Sequence, residues 1–258
     1  MIYVVKPGDN VDAIALENNI SVNELIYDNQ IEYPYALAVG QALYIRETEP
    51  EAGRSITVNG YAYPFINENI LEETLPYLTY LSIFSYGFTA EGALIPPLID
   101  PQFMIDASNE NNTSPILTLT PLDESGRFNN NLISSVVRND DIQLILIDAI
   151  LAELNSKGYT GVDVDFEYIL SEDRDYFTTF VARMTNILNE SGYTVSVALA
   201  PKTSADQQGL LYEGKDYAGL GAAANSVLLM TYEWGYTYHH SPYWLFDFRN
   251  NLKLKIPG

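Results

Sequence analysis

Cysteine is absent from the 258-residue chain, which excludes disulfides, zinc–thiolate centres and thiol catalysis, though it does not fix the compartment. Basic residues are scarce: 13 Lys and Arg stand against 34 Asp and Glu, for a formal net charge of -21. Nucleic acids and anionic membrane surfaces both demand a basic footprint, so neither is expected as a partner. A neutral ligand such as a sugar is compatible with this charge. No apolar run is long enough to span a bilayer, and no membrane insertion is expected. The first residues, Met1-Ile2-Tyr3-Val4-Val5-Lys6, lack a basic segment followed by a long apolar one; this predicts a product made without a conventional secretory signal. What the chain does hold is 47% hydrophobic residues with 20 Tyr and 10 Phe. That is enough apolar material for a true core, and tyrosine adds a flat face with a hydroxyl, which suits sugar contact.

Residues 1–47 read as a small unit. Tyr3-Val4-Val5 is a short β-type run, and Lys6-Pro7-Gly8-Asp9-Asn10 is a turn in which Asp9 or Asn10 can cap a helix. Val11, Ile14 and Ala15 then repeat at helical spacing. Ser21 with Glu24 three positions on is a capping box for a second helix, which Asn29 ends. Gly40-Gln41 turns into a strand at Leu43-Tyr44-Ile45. In Tyr3-Val4-Val5, Gly8-Asp9, Ile14-Ala15, Leu25, Asn29, Gly40-Gln41 and Leu43-Tyr44-Ile45 the unit resembles a LysM domain, a βααβ fold of the α+β class. The resemblance implies binding of N-acetylglucosamine-containing glycans, peptidoglycan or chitin. It places them in a groove between Gly8, Asp9, Asn10 and Val11 on one side and Asn29, Gln30 and Ile31 on the other, with backbone groups supplying many contacts.

Residues 48–53 are polar and carry Pro50 and Gly53, the composition of a linker. From residue 54 to 258 the pattern changes to alternating strand and helix signals. Strands are expected at residues 56–63, 80–86, 115–120, 161–167, 194–200 and 226–232. Helices are expected at 69–78, 103–109, 132–137, 140–156, 173–190, 217–224 and 243–252. The helix at 140–156 shows Leu144, Ile147, Leu151 and Leu154 as its apolar stripe, and that at 173–190 shows Phe177, Phe180, Met184, Ile187 and Leu188. The strands are mostly apolar, as in a parallel sheet covered on both faces. A doubly wound open sheet and a (β/α)8 barrel both fit. No Gly-rich phosphate loop follows the first strand, which disfavours a dinucleotide fold. Carboxylates at the end of a mid-chain strand favour the barrel of TIM type. Six β/α units are legible where eight are needed, so the barrel is expected to be incomplete, with its last strands beyond Gly258.

The most informative stretch is Gly161-Val162-Asp163-Val164-Asp165-Phe166-Glu167. On a strand, alternate side chains share a face, so Asp163, Asp165 and Glu167 fall together. Three uses are open: a solvated polar face, a divalent-metal site of oxygen ligands, or general acid catalysis by a carboxyl kept protonated by its neighbours.

These residues resemble the acidic signature of the family 18 glycoside hydrolases, the chitinase-like enzymes. Asp163, Asp165 and Glu167 match its last three acids, Gly161 also fits, and Thr160 stands where a further acid is the rule. Met230-Thr231-Tyr232 matches as well, with Tyr232 at a substrate-binding position. The resemblance implies a retaining mechanism in which the substrate's 2-acetamido oxygen is the nucleophile. Glu167 serves as the acid and later the base, Asp165 orients the acetamido group, Asp163 shares a proton with Asp165, and Tyr232 bonds the acetamido carbonyl. It implies no cofactor and no metal. Tyr86 at the end of the second strand is a candidate cleft residue or plain core. Trp234 is a candidate sugar platform among Glu233, Tyr236, Tyr238, Tyr243 and Trp244, whereas His239 and His240 read as solvated. The pairing of the two domains looks like spore-peptidoglycan hydrolases acting on cortex fragments, and so implies spore or cell-wall association. An inactive glycan-binding protein and a chitinase are the alternatives.

Overall fold

The computed structural model describes residues 1–46, 56–204 and 206–231. Its contacts divide the chain into two compact units, with the boundary between Ile56 and Thr57. The expected linker at 48–53, the helix at 243–252, and Tyr232, Trp234 and the aromatic and histidine residues after them lie outside the described residues.

In the first unit β1 (Ile2–Val4) pairs antiparallel with β2 (Ala42–Tyr44), Tyr3 opposite Leu43. Between them lie α1 (Val11–Glu17) and α2 (Val22–Asp28). Each helix starts where a side chain accepts orphan backbone N–H groups. Asn10 caps α1 through Ala13 N, and Ser21 with Glu24 forms a full capping box on α2. Val5, Val11, Ile14, Ala15, Leu25, Ile31, Leu43 and Ile45 make the core.

The second unit is built on six parallel strands: β3 (Asn59–Ala62), β4 (Tyr80–Phe88), β6 (Ser114–Leu119), β7 (Gly161–Val164), β8 (Thr194–Leu199) and β9 (Ser226–Leu229). A two-residue β5 (Leu94–Ile95) turns back antiparallel on the end of β4. The parallel strands lie in chain order. A doubly wound sheet reverses its order at a switch point; a sequential order with right-handed crossovers keeps every helix on one face and curls the sheet toward the other. The curl is measurable. Tyr61 on β3 donates to Asp163 on β7 at 2.8 Å, although two strands intervene and three strand spacings on a flat sheet come to about 14 Å. The architecture is thus the incomplete TIM-type barrel expected from the sequence, six strands long among the described residues.

The helices α3 (Glu68–Thr74), α4 (Gln102–Glu110), α5 (Asn131–Val137), α6 (Asp140–Lys157), α7 (Arg174–Glu190) and α8 (Tyr217–Ala223) complete the unit. Their apolar faces share one core with Leu117, Leu119, Val162, Val164, Val195, Val197 and Leu199 of the strands. The buried face of α7 contains the expected Phe177, Phe180, Met184 and Leu188. That of α6 is rotated from expectation: Gln143, Leu146, Ile147, Ile150 and Leu154 are buried, and Leu144 is 43% exposed. The reason is a polar member of the stripe. Gln143 turns inward because its amide satisfies the Val137 carbonyl at 2.8 Å, at the end of α5.

Candidate active site

The acidic strand is shorter than its alternation predicts. β7 ends at Val164, and Asp165, Phe166 and Glu167 lie in the segment beyond its carboxyl end. The sheet supports it by close approach at the start: a Cβ on Gly161 would sit 2.5 Å from the Thr194 carbonyl oxygen of β8, so only glycine lets the two backbones come this near. Phe166 turns to the helix side, with its ring centroid 5.4 Å from Phe88 and 5.7 Å from Phe177. That anchor holds the segment from which Asp165 and Glu167 project.

The three acids are graded by burial. Asp163 is fully buried, Asp165 is 8% exposed and Glu167 is partly exposed. Asp163 accepts the Tyr61 hydroxyl at 2.8 Å and the Ser196 hydroxyl at 2.5 Å. Burial pushes its pKa up, and the Ser196 and Tyr61 hydrogen bonds pull it partly back. Asp165 is pushed up to about 7, first by burial and then by the charges of Asp163 and Glu167, with Lys215 acting in the opposite direction. Burial thus disfavours the ionised form of both carboxyls, and the charge of Asp163 adds to the rise at Asp165. Thr160, where the signature has a further acid, bonds the Pro115 carbonyl at 3.0 Å; Tyr61 and Ser196 supply the hydrogen bonds to Asp163. Among the described residues no group of three or more His, Asp or Glu is arranged to hold a metal ion.

Tyr61, Ser196 and Lys215 were not foreseeable from the acidic motif itself. Ser196 lies directly beside Asp163 in the β7–β8 register, as Thr118 of β6 does on the other side. Aromatic residues at 61, 63 and 65 also alternate, and the rings form a ladder. Tyr61 lies 5.4 Å from Phe84, Phe84 stacks at 5.1 Å on Tyr63, and Tyr63 stacks at 5.0 Å on Phe65. Tyr63 and Phe65 are 49% and 73% exposed, so a flat apolar surface runs from solvent to the partner of Asp163, a shape suited to sugar rings. Tyr86 is a correction. Alternation from Ser82 and Phe84 puts it on their inner face, but the β4–β6 register shifts between Ile83 and Tyr86. Tyr86 is fully buried on the helix side, donating to Glu153 of α6 at 2.9 Å and lying 3.5 Å from the Tyr159 hydroxyl. It lines no cleft, and its pKa is driven up by burial.

In the first unit the residues of the expected groove are mostly committed to the fold. Gly8 has φ +91 with open space where a side chain would be. Asp9 accepts Tyr3 and the Lys6 N–H, and Asn10 caps α1. Val11 and Ile31 point into the core. The Asn29 amide bonds the Leu25 and Tyr44 carbonyls and the Tyr44 N–H. Val11 and Ile31 thus keep only 7% and 9% of their surface exposed, and the Asn29 amide is engaged within the fold.

Residues 124–253 match the family described as glycosyl hydrolases family 18, and residues 3–46 match the LysM domain. A cortical fragment-lytic enzyme of Bacillus subtilis (strain 168) is 34% identical across 92% of this chain and 66% of its own length. The crystal structure of the Bacillus cereus spore cortex-lytic enzyme SleL is similar with a TM-score of 0.68 at 32% identity, over 91% of this chain and 54% of that one. That of the Bacillus megaterium QM B1551 enzyme SleL gives 0.68 at 27% identity, over 91% and 55%. The chain thus spans between about half and two thirds of the length of these relatives.

Proposed function

The chain belongs to the glycosyl hydrolases family 18, and from that premise we propose that it cleaves N-acetylglucosaminyl bonds of peptidoglycan with retention, its LysM domain holding the glycan. The observation that carries this reading is the graded burial of three acids at the carboxyl end of a central parallel strand: Asp163 locked by two hydroxyls, Asp165 buried and poised near neutrality, Glu167 open to a ligand. Glu167 gives its proton to the glycosidic oxygen. The 2-acetamido oxygen of the substrate attacks the anomeric carbon as the leaving group departs, and an oxazolinium forms. Asp165, 8% exposed, orients the acetamido N–H and its negative charge stabilises the cation in a site with little water. Asp163 takes up the shared proton. Glu167, now ionised, removes a proton from the water that opens the ring. One carboxylic acid suffices because the substrate brings its own nucleophile.

Relatives named for the spore cortex support action there, at the spore or cell wall, with cortex fragments as substrate. Glu167→Gln is expected to lower release of reducing sugar from such fragments by about 10²–10⁴-fold. Turnover that survives the change would reject Glu167 as the acid. Comparing chitin oligomers with muramyl fragments separates a chitinase from the proposed enzyme.

A further inference from the structure

Lys215 has no task in the reaction described above. It is fully buried, and among the described residues its Nζ has no hydrogen-bond partner. An ammonium in that position is costly unless nearby negative charge offsets the lost hydration. The backbone shows where that charge lies. A Cβ on Gly214 would be 2.1 Å from the Ile169 carbonyl oxygen, so the segment bearing Lys215 is pressed against the segment that follows Glu167. Its sequence neighbours are engaged elsewhere: Glu213 accepts the Gly209 N–H at 2.9 Å, and Asp216 pairs with Arg174 at 3.5 Å. The acids acting on Lys215 are Asp165 and Glu167. Asp165 has the complementary feature, a buried Oδ1 without a hydrogen-bond partner among the described residues.

We propose that Lys215 is a positioning residue, a buried cation that balances the charge of Asp165 and Glu167 and sets the pH at which Asp165 ionises. The charges concerned come from three elements: Asp163 on β7, Asp165 and Glu167 after it, and Lys215 before α8. Burial lowers the Lys215 pKa to about 8, opposed by Asp165 and Glu167. Lys215 in turn restrains the rise of Asp165, so that this carboxyl ionises near neutral pH rather than above it.

This inference rests on the proposed hydrolase reading, and its test has one arm that needs no turnover. In full-length protein, Lys215→Met is expected to move the limb of the pH–kcat profile set by Asp165 upward by about one unit, because the removed cation no longer restrains the rise of the Asp165 pKa. Lys215→Arg keeps the charge and should restore the wild-type limb. A rate lowered equally at every pH, with that limb unmoved, overturns the proposal and leaves Lys215 structural. Should Lys215→Met not fold, NMR titration of the lysine ammonium in the wild type decides, with its signal assigned by loss in Lys215→Arg. Titration near pH 8 that moves lower in Glu167→Gln supports the counter-charge; an ordinary lysine pKa, or one indifferent to Glu167→Gln, refutes it. Absence of turnover in the wild type would fail the hydrolase reading while leaving the NMR result to stand by itself.

Discussion

Asp9 and Asp163 each accept a tyrosine hydroxyl at 2.8 Å, yet they lie on opposite sides of the ordinary carboxylate pKa. Asp9 is held below it, first by the Lys6 backbone N–H and then by Tyr3. Asp163 is held above it because burial outweighs Ser196 and Tyr61. The partner of Asp9 is six residues away and that of Asp163 is 102 away. In the LysM unit, short-range polar contacts close turns and caps, so ionised acids stabilise the fold. In the barrel unit, the strands carry acids into a place where their charge is disfavoured, an arrangement that serves chemistry at the expense of stability.

The contrast is sharpest at Asp165. Asp165→Asn should reduce turnover by on the order of 10²–10³-fold, as for other losses of transition-state charge stabilisation. The same change should alter the pH dependence of stability. The folded-state pKa of Asp165 is raised to about 7, so the native state keeps a proton that the unfolded chain has lost. Wild-type stability is therefore penalised as pH rises from the ordinary carboxylate range to about 7. The Tm of Asp165→Asn relative to wild type should climb across that interval and level off above it. A difference that is flat from pH 4 to 7 would contradict the raised pKa.

Smaller effects should follow at the hydroxyl donors. Tyr61→Phe and Ser196→Ala each leave Asp163 one hydrogen bond short, and each should lower kcat about tenfold, a loss of about 1.4 kcal/mol. The double variant should lose less than the product of the two if Asp163 then protonates outright. In the LysM unit, Asn29→Ala removes the amide that ties the end of α2 to β2. It should cost that unit about 1–3 kcal/mol in urea unfolding while leaving kcat on short soluble substrates unchanged. The smallest effect belongs to Asp9. Its folded pKa is depressed, so its contribution is present above the ordinary carboxylate pKa and fades as pH falls through the folded value. Asp9→Asn should lower the Tm of this unit slightly at neutral pH and not at all in strong acid.

The same contrast explains what was legible. Caps such as Ser21 with Glu24 and ends such as Asn29 are written within a few residues, and the structure has them. The six strands of the barrel could be read because their apolar runs are local too. The acids were found by alternation, although Asp165 and Glu167 lie past the strand's end. Tyr61, Ser196 and Lys215 depend on which strands and loops become neighbours, and no local pattern reports that. Lys215 sits in a stretch without periodicity, where a lysine reads as solvated. Tyr86 was misplaced because one register shift in β4 reverses the face of every later residue.

The central claim is that the substrate supplies the nucleophile and Glu167 the proton. Cleavage rates on peptidoglycan fragments with the N-acetyl group intact and with it removed test this most directly. The mechanism predicts turnover of the acetylated glycan alone, because Asp165 then has an acetamido group to orient. Equal cleavage of both would mean that a protein carboxylate attacks the anomeric carbon, and would contradict the account.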